Sequence, residues 1–184
     1  MKVLIISGSR NPEGQTARAI GGLVRGVRDA GASAEVVFLP ELTIERCRQC
    51  DAAGWGLCKE EGRCIIEDDF AGLVNNTRSA DAVVFATPVY FSDVSESLRA
   101  FLDRLRRVAL HEVGKQGISG TRAVGICVAG GGGGGAPTCT FRLEQMLNTC
   151  GFDIVDMVPV RRQNLQMKEG ILEIVGHWLV DSQA

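Results

Sequence analysis

The chain has 184 residues, 45% of them hydrophobic and 23% charged, with a formal net charge of −2. That length supports one domain with a sizeable core rather than two, and the balance of charge supplies no basic field for nucleic acid or an anionic lipid surface. No apolar run approaches the roughly 20 residues of a membrane span, and the N-terminal VLII is too short for a secretory h-region; the expectation is one domain, residues 1–184, cytoplasmic, with no nucleic-acid or membrane partner.

VLIIS (3–7) is a continuous apolar run, as expected of a parallel strand covered on both faces. Ile20, Leu23, Val24 and Val27 then recur at helical spacing and stop before Gly31. Gly21, Gly22 and Gly26 each cost that helix about 1 kcal/mol relative to Ala, so packing has to hold it. EVVFL (35–39) is the second strand. After a cysteine-rich segment (43–66), Asp68 and Asp69 begin a helix and read as N-cap and first-turn residues, or as an acid/base pair. AVVFAT (82–87) is the third strand, and Leu98, Phe101, Leu102 and Leu105 mark one face of the next helix. AVGICVA (123–129) is the fourth strand and runs into six consecutive glycines. Leu143, Met146 and Leu147 mark a helix that Gly151 stops; DIVDMVPV (153–160) is the fifth strand, and a last helix carries Ile171, Ile174, Val175 and Trp178 on one face. Strands alternating with helices predict an α/β fold, a doubly wound parallel sheet of five strands.

In such sheets ligands bind beyond the carboxyl ends of the strands, and three loops there have unusual composition. In GSRNPEGQT, Gly8 and Gly14 let backbone N–H groups approach an anion, Ser7, Ser9 and Thr16 offer hydroxyls, and a helix follows. The loop is neither a Walker A motif, since Gln15 stands where the lysine belongs, nor a G-x-G-x-x-G fingerprint. With Arg10 it suits a monophosphate better than a triphosphate. TPVYFSDVS groups Pro88, Tyr90 and Phe91 in a chain whose aromatic content is only 5%, which suits a flat ligand or an anchor of the loop to the core. Gly130 to Gly135 leave almost no side chain, so a planar ring could lie on the backbone there. A monophosphate with a flat aromatic head describes FMN.

Cys47, Cys50, Cys58 and Cys64 hold four of the seven thiols in one segment. With His111 and His177 both far along the chain, four thiolates suit a [4Fe–4S] cluster or an all-thiolate zinc site; reduced thiols steadying a loop are the plain alternative. Arg46, Arg48, Lys59 and Arg63 could offset the charge of a cluster. Cys127, Cys139 and Cys150 read as small buried apolar residues.

The loop GSRNPEGQT, the stretch ATPVYFSDVSESLRAFLDR and the cysteine segment running into CIIEDDF resemble the NAD(P)H-dependent FMN reductase group of flavodoxin-like proteins, and within it most of all the iron–sulfur flavoproteins. The resemblance implies a strand order 2-1-3-4-5 and FMN bound without a covalent link. It places Ser9, Arg10, Gln15 and Thr16 on the phosphate, and Pro88, Val89, Tyr90 and Phe91 with Ala129, Gly130 and Gly131 along the ribityl chain and ring. The family's compact C-x2-C-x2-C motif is here C-x2-C-x7-C-x5-C, with Asp51 to Trp55 as the added residues. The implied function is an FMN-dependent oxidoreductase whose [4Fe–4S] cluster relays electrons between a donor such as a ferredoxin and the flavin, which reduces a small-molecule acceptor. The alternatives are an NAD(P)H-dependent FMN or quinone reductase without a cluster, and a flavodoxin-like carrier with no substrate of its own. The segment holding Leu98, Phe101, Leu102 and Leu105 resembles one near a subunit contact in this family, which implies a homodimer or homotetramer; core packing is the other reading.

Overall fold

Val3, Leu4, Ile5 and Ile6 are completely buried, the condition a central strand meets when helices cover both faces of its sheet. In the computed structural model, which describes residues 1–181, β1 (Lys2–Ser7), β2 (Ser33–Phe38), β3 (Ala82–Pro88), β4 (Arg122–Ala129) and β5 (Asp153–Arg161) form one sheet in the order β2-β1-β3-β4-β5. Every neighbouring pair is parallel. The helices are α1 (Gln15–Asp29), α2 (Leu57–Glu60), α3 (Phe70–Arg78), α4 (Glu96–Ala109), α5 (Glu112–Lys115), α6 (Ala136–Cys150) and α7 (Leu165–Asp181). The expected doubly wound architecture and its strand order are both present. Among the described residues no helix is long and apolar enough to cross a membrane.

Alternate residues of β1 face opposite layers. Val3 and Ile5 join α1 and α7 in one core, while Leu4 and Ile6 join α3, α4 and α6 in the other. The glycines of α1 find their reason here. A Cβ on Gly22 would stand 2.4 Å from the carbonyl oxygen of Glu169, and one on Gly26 would stand 1.9 Å from that of Glu173. Gly176 of α7 answers from the other side, 2.2 Å from the Leu23 carbonyl. The two helices therefore cross backbone against backbone, and the propensity lost in α1 is offset by that contact.

Two open readings are resolved and one expectation is corrected. Leu98, Phe101, Leu102 and Leu105 are all at most 2% exposed and point into the core, so this apolar face of α4 offers no surface to a second subunit. On α7 the buried positions are Leu165, Leu172, Gly176 and Leu179, whereas Ile171, Ile174 and Trp178 are exposed; periodicity finds the stripe but not the side of the helix that meets the protein. Asp69 stands at the N-cap of α3 without a side-chain capping bond, and its carboxylate accepts from the Thr43 N–H at 2.7 Å. Asp68 is 2% exposed and paired with Arg104, and its Oδ1 accepts from the N–H of Phe70, the first residue of α3, at 3.2 Å; it serves the helix start, as the capping reading expects, and forms no acid/base dyad with its neighbour.

Candidate functional site

The carboxyl ends of β1, β3 and β4 open into a cleft of about 540 Å³ lined by Ser9, Asn11, Gly14, Gln15 and Thr16, by Pro88, Val89 and Tyr90, and by residues 128–134. At one end α1 begins. Its N-cap is Gly14, with no side-chain capping bond and no acidic residue in the first turn. Among the described residues the first N–H groups of α1 thus have no side-chain partner, and the helix dipole adds positive potential at the same place. The Gln15 side-chain oxygen is buried without a hydrogen-bond partner among the described residues. Thr16 and Ser9 are nearly buried. The Ser9 hydroxyl donates to the Asn11 carbonyl at 3.2 Å and holds the turn. Ser7 lies beneath, fully buried, and its oxygen accepts from the Ser9 N–H. The loop is seated on the start of α4: the Ser97 hydroxyl donates to the Gly8 carbonyl, and a Cβ on Gly8 would stand 2.2 Å from Ser95 Oγ.

Tyr90 and Asp93 exchange backbone hydrogen bonds of 3.0 and 2.8 Å across a tight turn, in which Phe91 and Ser92 take left-handed φ values of 51° and 60°. Asp93 fixes the turn by holding Arg99 at 2.6 Å and Arg142 at 3.2 Å. Opposite, the glycine run turns through a Gly133 N–H to Gly130 carbonyl bond. Gly133 and Gly135 have φ of 75° and 79°, a conformation only glycine adopts cheaply. A Cβ on Gly135 would lie 2.6 Å from Ser92 Oγ, so the two loops touch. Added Cβ atoms on Gly130, Gly132 or Gly134 would meet nothing; this bare backbone is the open wall of the cleft.

The four clustered cysteines come together. Cys47, Cys50, Cys58 and Cys64 line one small cavity of about 20 Å³ with Arg48, Arg104 and Arg107. Burial pushes the Cys58 thiol up, against the opposing pull of the Gly56 N–H and the Arg107 charge. The added residues are not a loose loop. Asp51 caps a turn by accepting from the Trp55 N–H at 2.7 Å, Arg107 donates to the Gly54 carbonyl and lies 5.0 Å from the Trp55 ring, and Trp55 meets His111 edge-on at 4.8 Å. Among the described residues, no three His, Cys, Asp or Glu side chains are placed to hold a metal ion. The thiols border a common cavity without forming a ligand sphere.

A profile of the family described as NADPH-dependent FMN reductase matches residues 1–170. The chain belongs to this family. Two iron–sulfur flavoproteins of Methanocaldococcus jannaschii are similar to it: one is 33% identical over 131 residues, 71% of this chain and 65% of that protein, and the other is 30% identical over 160 residues, 87% and 75%. An iron–sulfur flavoprotein of Methanosarcina thermophila is 29% identical over 104 residues, 56% of this chain. The match spans only 52% of the Methanosarcina protein's length. The fold is also that of an NAD(P)H:quinone oxidoreductase from Methanothermobacter marburgensis (TM-score 0.70, 21% identity, 97% of this chain and 96% of that one). A flavodoxin from the domain Archaea shares it too (TM-score 0.61, 12% identity, 98% and 99%).

The donor set of the cleft fits the FMN that the family name carries. It offers uncapped N–H groups and hydroxyls at one end, a polar orphan in Gln15, and a bare backbone wall. Of the residues expected there, Ser9, Gly14, Gln15, Thr16, Pro88, Val89, Tyr90, Ala129, Gly130 and Gly131 share the cleft. Arg10 and Phe91 instead line an adjoining groove with Val89 and Tyr90. Gly132 to Gly134, in the glycine run expected to receive the ring, also line the cleft, while Asn11 and Val128 belong to its wall and lie outside the expected set; the Asn-Pro pair is the signal that could have found Asn11. Of the cations expected around the cysteines, only Arg48 borders the cavity, already held by Glu45 at 2.6 Å. The others there come from α4. Cys127, Cys139 and Cys150 are buried as expected, and burial pushes the Cys150 thiol up to about 12.

Proposed function

We propose that this protein is a flavin-dependent oxidoreductase that holds FMN in the cleft between the start of α1 and the glycine run. The observation that carries this reading is the uncapped N-terminus of α1 opening into the same cleft as a wall of backbone without side chains. The N–H groups of the first turn, with the Ser9 and Thr16 hydroxyls, would bind the phosphate. Pro88, Val89 and Tyr90 would border the ring on one side, and Gly130 to Gly132 on the other. Bound FMN would supply hydride and single-electron chemistry. The chain supplies orientation and shelter from water, with NAD(P)H or a ferredoxin as donor and a small molecule as acceptor.

The cysteine cavity would hold a [4Fe–4S] cluster through Cys47, Cys50, Cys58 and Cys64. Four thiols on one cavity with three guanidinium groups support this, as do the names of the similar archaeal proteins. A second reading is an NAD(P)H-dependent reductase without a cluster, favoured by the small volume of the cavity. Protein purified without oxygen separates the two. The first reading expects a brown protein with bound FMN and about four irons per chain, and Cys58→Ser should remove the iron and leave the flavin. A yellow protein without iron that oxidises NAD(P)H would establish the second. Absence of FMN binding would overturn both.

A further inference from the structure

Beside the cleft lies a groove of about 780 Å³ that bound FMN leaves unused. Val89 and Tyr90 form the wall that cleft and groove share, and Arg10, Phe91 and Val94 carry the groove away from the cleft. Past Arg10 and Glu96, which line both, it continues into a depression of about 480 Å³ along Leu39, Pro40, Leu42 and Ile44. Each part has the size of a small-molecule site, roughly 300–1,000 Å³. Phe91 is fully exposed and Tyr90 about half so. Phe91 also holds a φ of 51°, unfavourable for a bulky residue, and the Tyr90–Asp93 backbone pair keeps it there. The ring is thus presented to the groove against both its own burial and its backbone preference.

The charges of the groove indicate what it takes. Asp93 is already matched by Arg99 and Arg142. Glu96 stands in the first turn of α4, where the helix dipole answers its charge. Arg10 is exposed and, among the described residues, makes no hydrogen bond or ion pair. One unanswered cation beside two carboxylates is a poor match for a dinucleotide or any other polyanion, and a good one for a monoanion. We infer that this groove anchors the substrate of the proposed oxidoreductase: it takes a flat, apolar molecule with a single anionic group, such as an aromatic carboxylate, with the rings on Phe91 and Tyr90 and the anion on Arg10. That the ligand is a substrate rests on the flavin reading; its binding to the groove does not.

The test is calorimetric titration of the full chain, with and without FMN, using naphthalenesulfonate and the uncharged naphthalenesulfonamide as probes. The sulfonate should bind about three- to tenfold more tightly, as a partly exposed ion pair allows. Arg10→Ala should erase that preference, Arg10→Lys should keep part of it, and Phe91→Ala should weaken both probes alike. FMN affinity should stay unchanged in all three variants. Binding of neither probe, a preference for the sulfonate that survives Arg10→Ala, or wild-type binding by Phe91→Ala would each overturn the inference. So would a loss of FMN affinity in Arg10→Ala, which would put the guanidinium on the phosphate. A fall in assembled mass by light scattering on Phe91→Ala would also overturn it, since the ring would then belong to a subunit contact. A chain that binds no FMN yet distinguishes the probes through Arg10 would refute the flavin reading and uphold the ligand class of the groove.

Discussion

Arg104 and Asp68 lie 36 positions apart in sequence and meet through two hydrogen bonds, 2.6 and 3.0 Å, with side chains only 1% and 2% exposed. Arg104 also donates to the Glu45 carbonyl at 3.1 Å and lies 4.1 Å above the Phe70 ring, and it lines the same small cavity as Cys64. One side chain of α4 thereby fastens the cysteine segment to the body of the protein. Removing either partner leaves a buried charge alone, so Arg104→Ala should cost about 3–5 kcal/mol in urea unfolding. The double replacement Asp68→Leu/Arg104→Met should cost less than Arg104→Ala, because it leaves no unpaired charge. If the costs simply add, the pair is not a coupled unit.

The same pair sets an acid limit. Burial by itself would raise the Asp68 carboxyl, but the Arg104 guanidinium and the N–H groups of Glu45 and Phe70 outweigh it and hold the carboxyl below its usual value. With an unfolded value of about 3.9, the stabilisation is complete above about pH 4 and is lost as pH falls through the lower folded value. The stability gap between wild type and Asp68→Asn should therefore narrow below about pH 4 and stay constant between about pH 5 and 7, as denaturation at each pH would measure.

Glycines five residues apart in α1 should respond in opposite senses. Gly21 faces open space apart from Arg25 Nη1 at 4.0 Å, while a Cβ on Gly26 meets the backbone of Glu173. Gly21→Ala should stabilise by about 0.5–1 kcal/mol through helix propensity, and Gly26→Ala should destabilise by about 1–3 kcal/mol through overpacking. Thermal melts of the two variants check the crossing of α1 and α7 directly.

The cleft and its adjoining groove can be told apart by titration. Gly132 lines the cleft, and a Cβ there would meet no protein atom within 4 Å, so Gly132→Val should fold normally and lose FMN affinity by about tenfold or more. Arg10 lines the groove and not the cleft, so Arg10→Ala should leave FMN affinity nearly unchanged. A loss of about ten- to a hundredfold, the worth of a charge-assisted phosphate contact, would return Arg10 to the phosphate.

Much of this protein is legible in one dimension. Five apolar runs mark the strands to within two residues at either end, because a strand covered on both faces needs nothing beyond its own composition. The loops that line the cleft are recognisable too, since glycines and small hydroxyl residues at strand ends have few other uses. Asp68 reads in sequence as part of a helix cap, which the bond it accepts from the Phe70 N–H bears out, but its pairing with Arg104 in another helix is invisible there, because no local pattern records a buried pair. The added residues from Asp51 to Trp55 look like slack in sequence, and only the contacts of Arg107 and His111 show that they are held.

The sequence by itself determined the α/β alternation, the stripe positions on each helix and the clustering of the thiols, all of which follow from short-range periodicity and composition. Only the tertiary structure decided which way each stripe faces. An apolar row reads the same whether it meets the core, as on α4, or solvent, as on α7, and the choice depends on what packs against the helix from elsewhere in the chain. It also decided that Arg10 lines the groove beside the cleft and that two cations of the cysteine cavity, Arg104 and Arg107, come from α4. Those are contacts between residues dozens of positions apart, and they exist only once the sheet has brought the loops together.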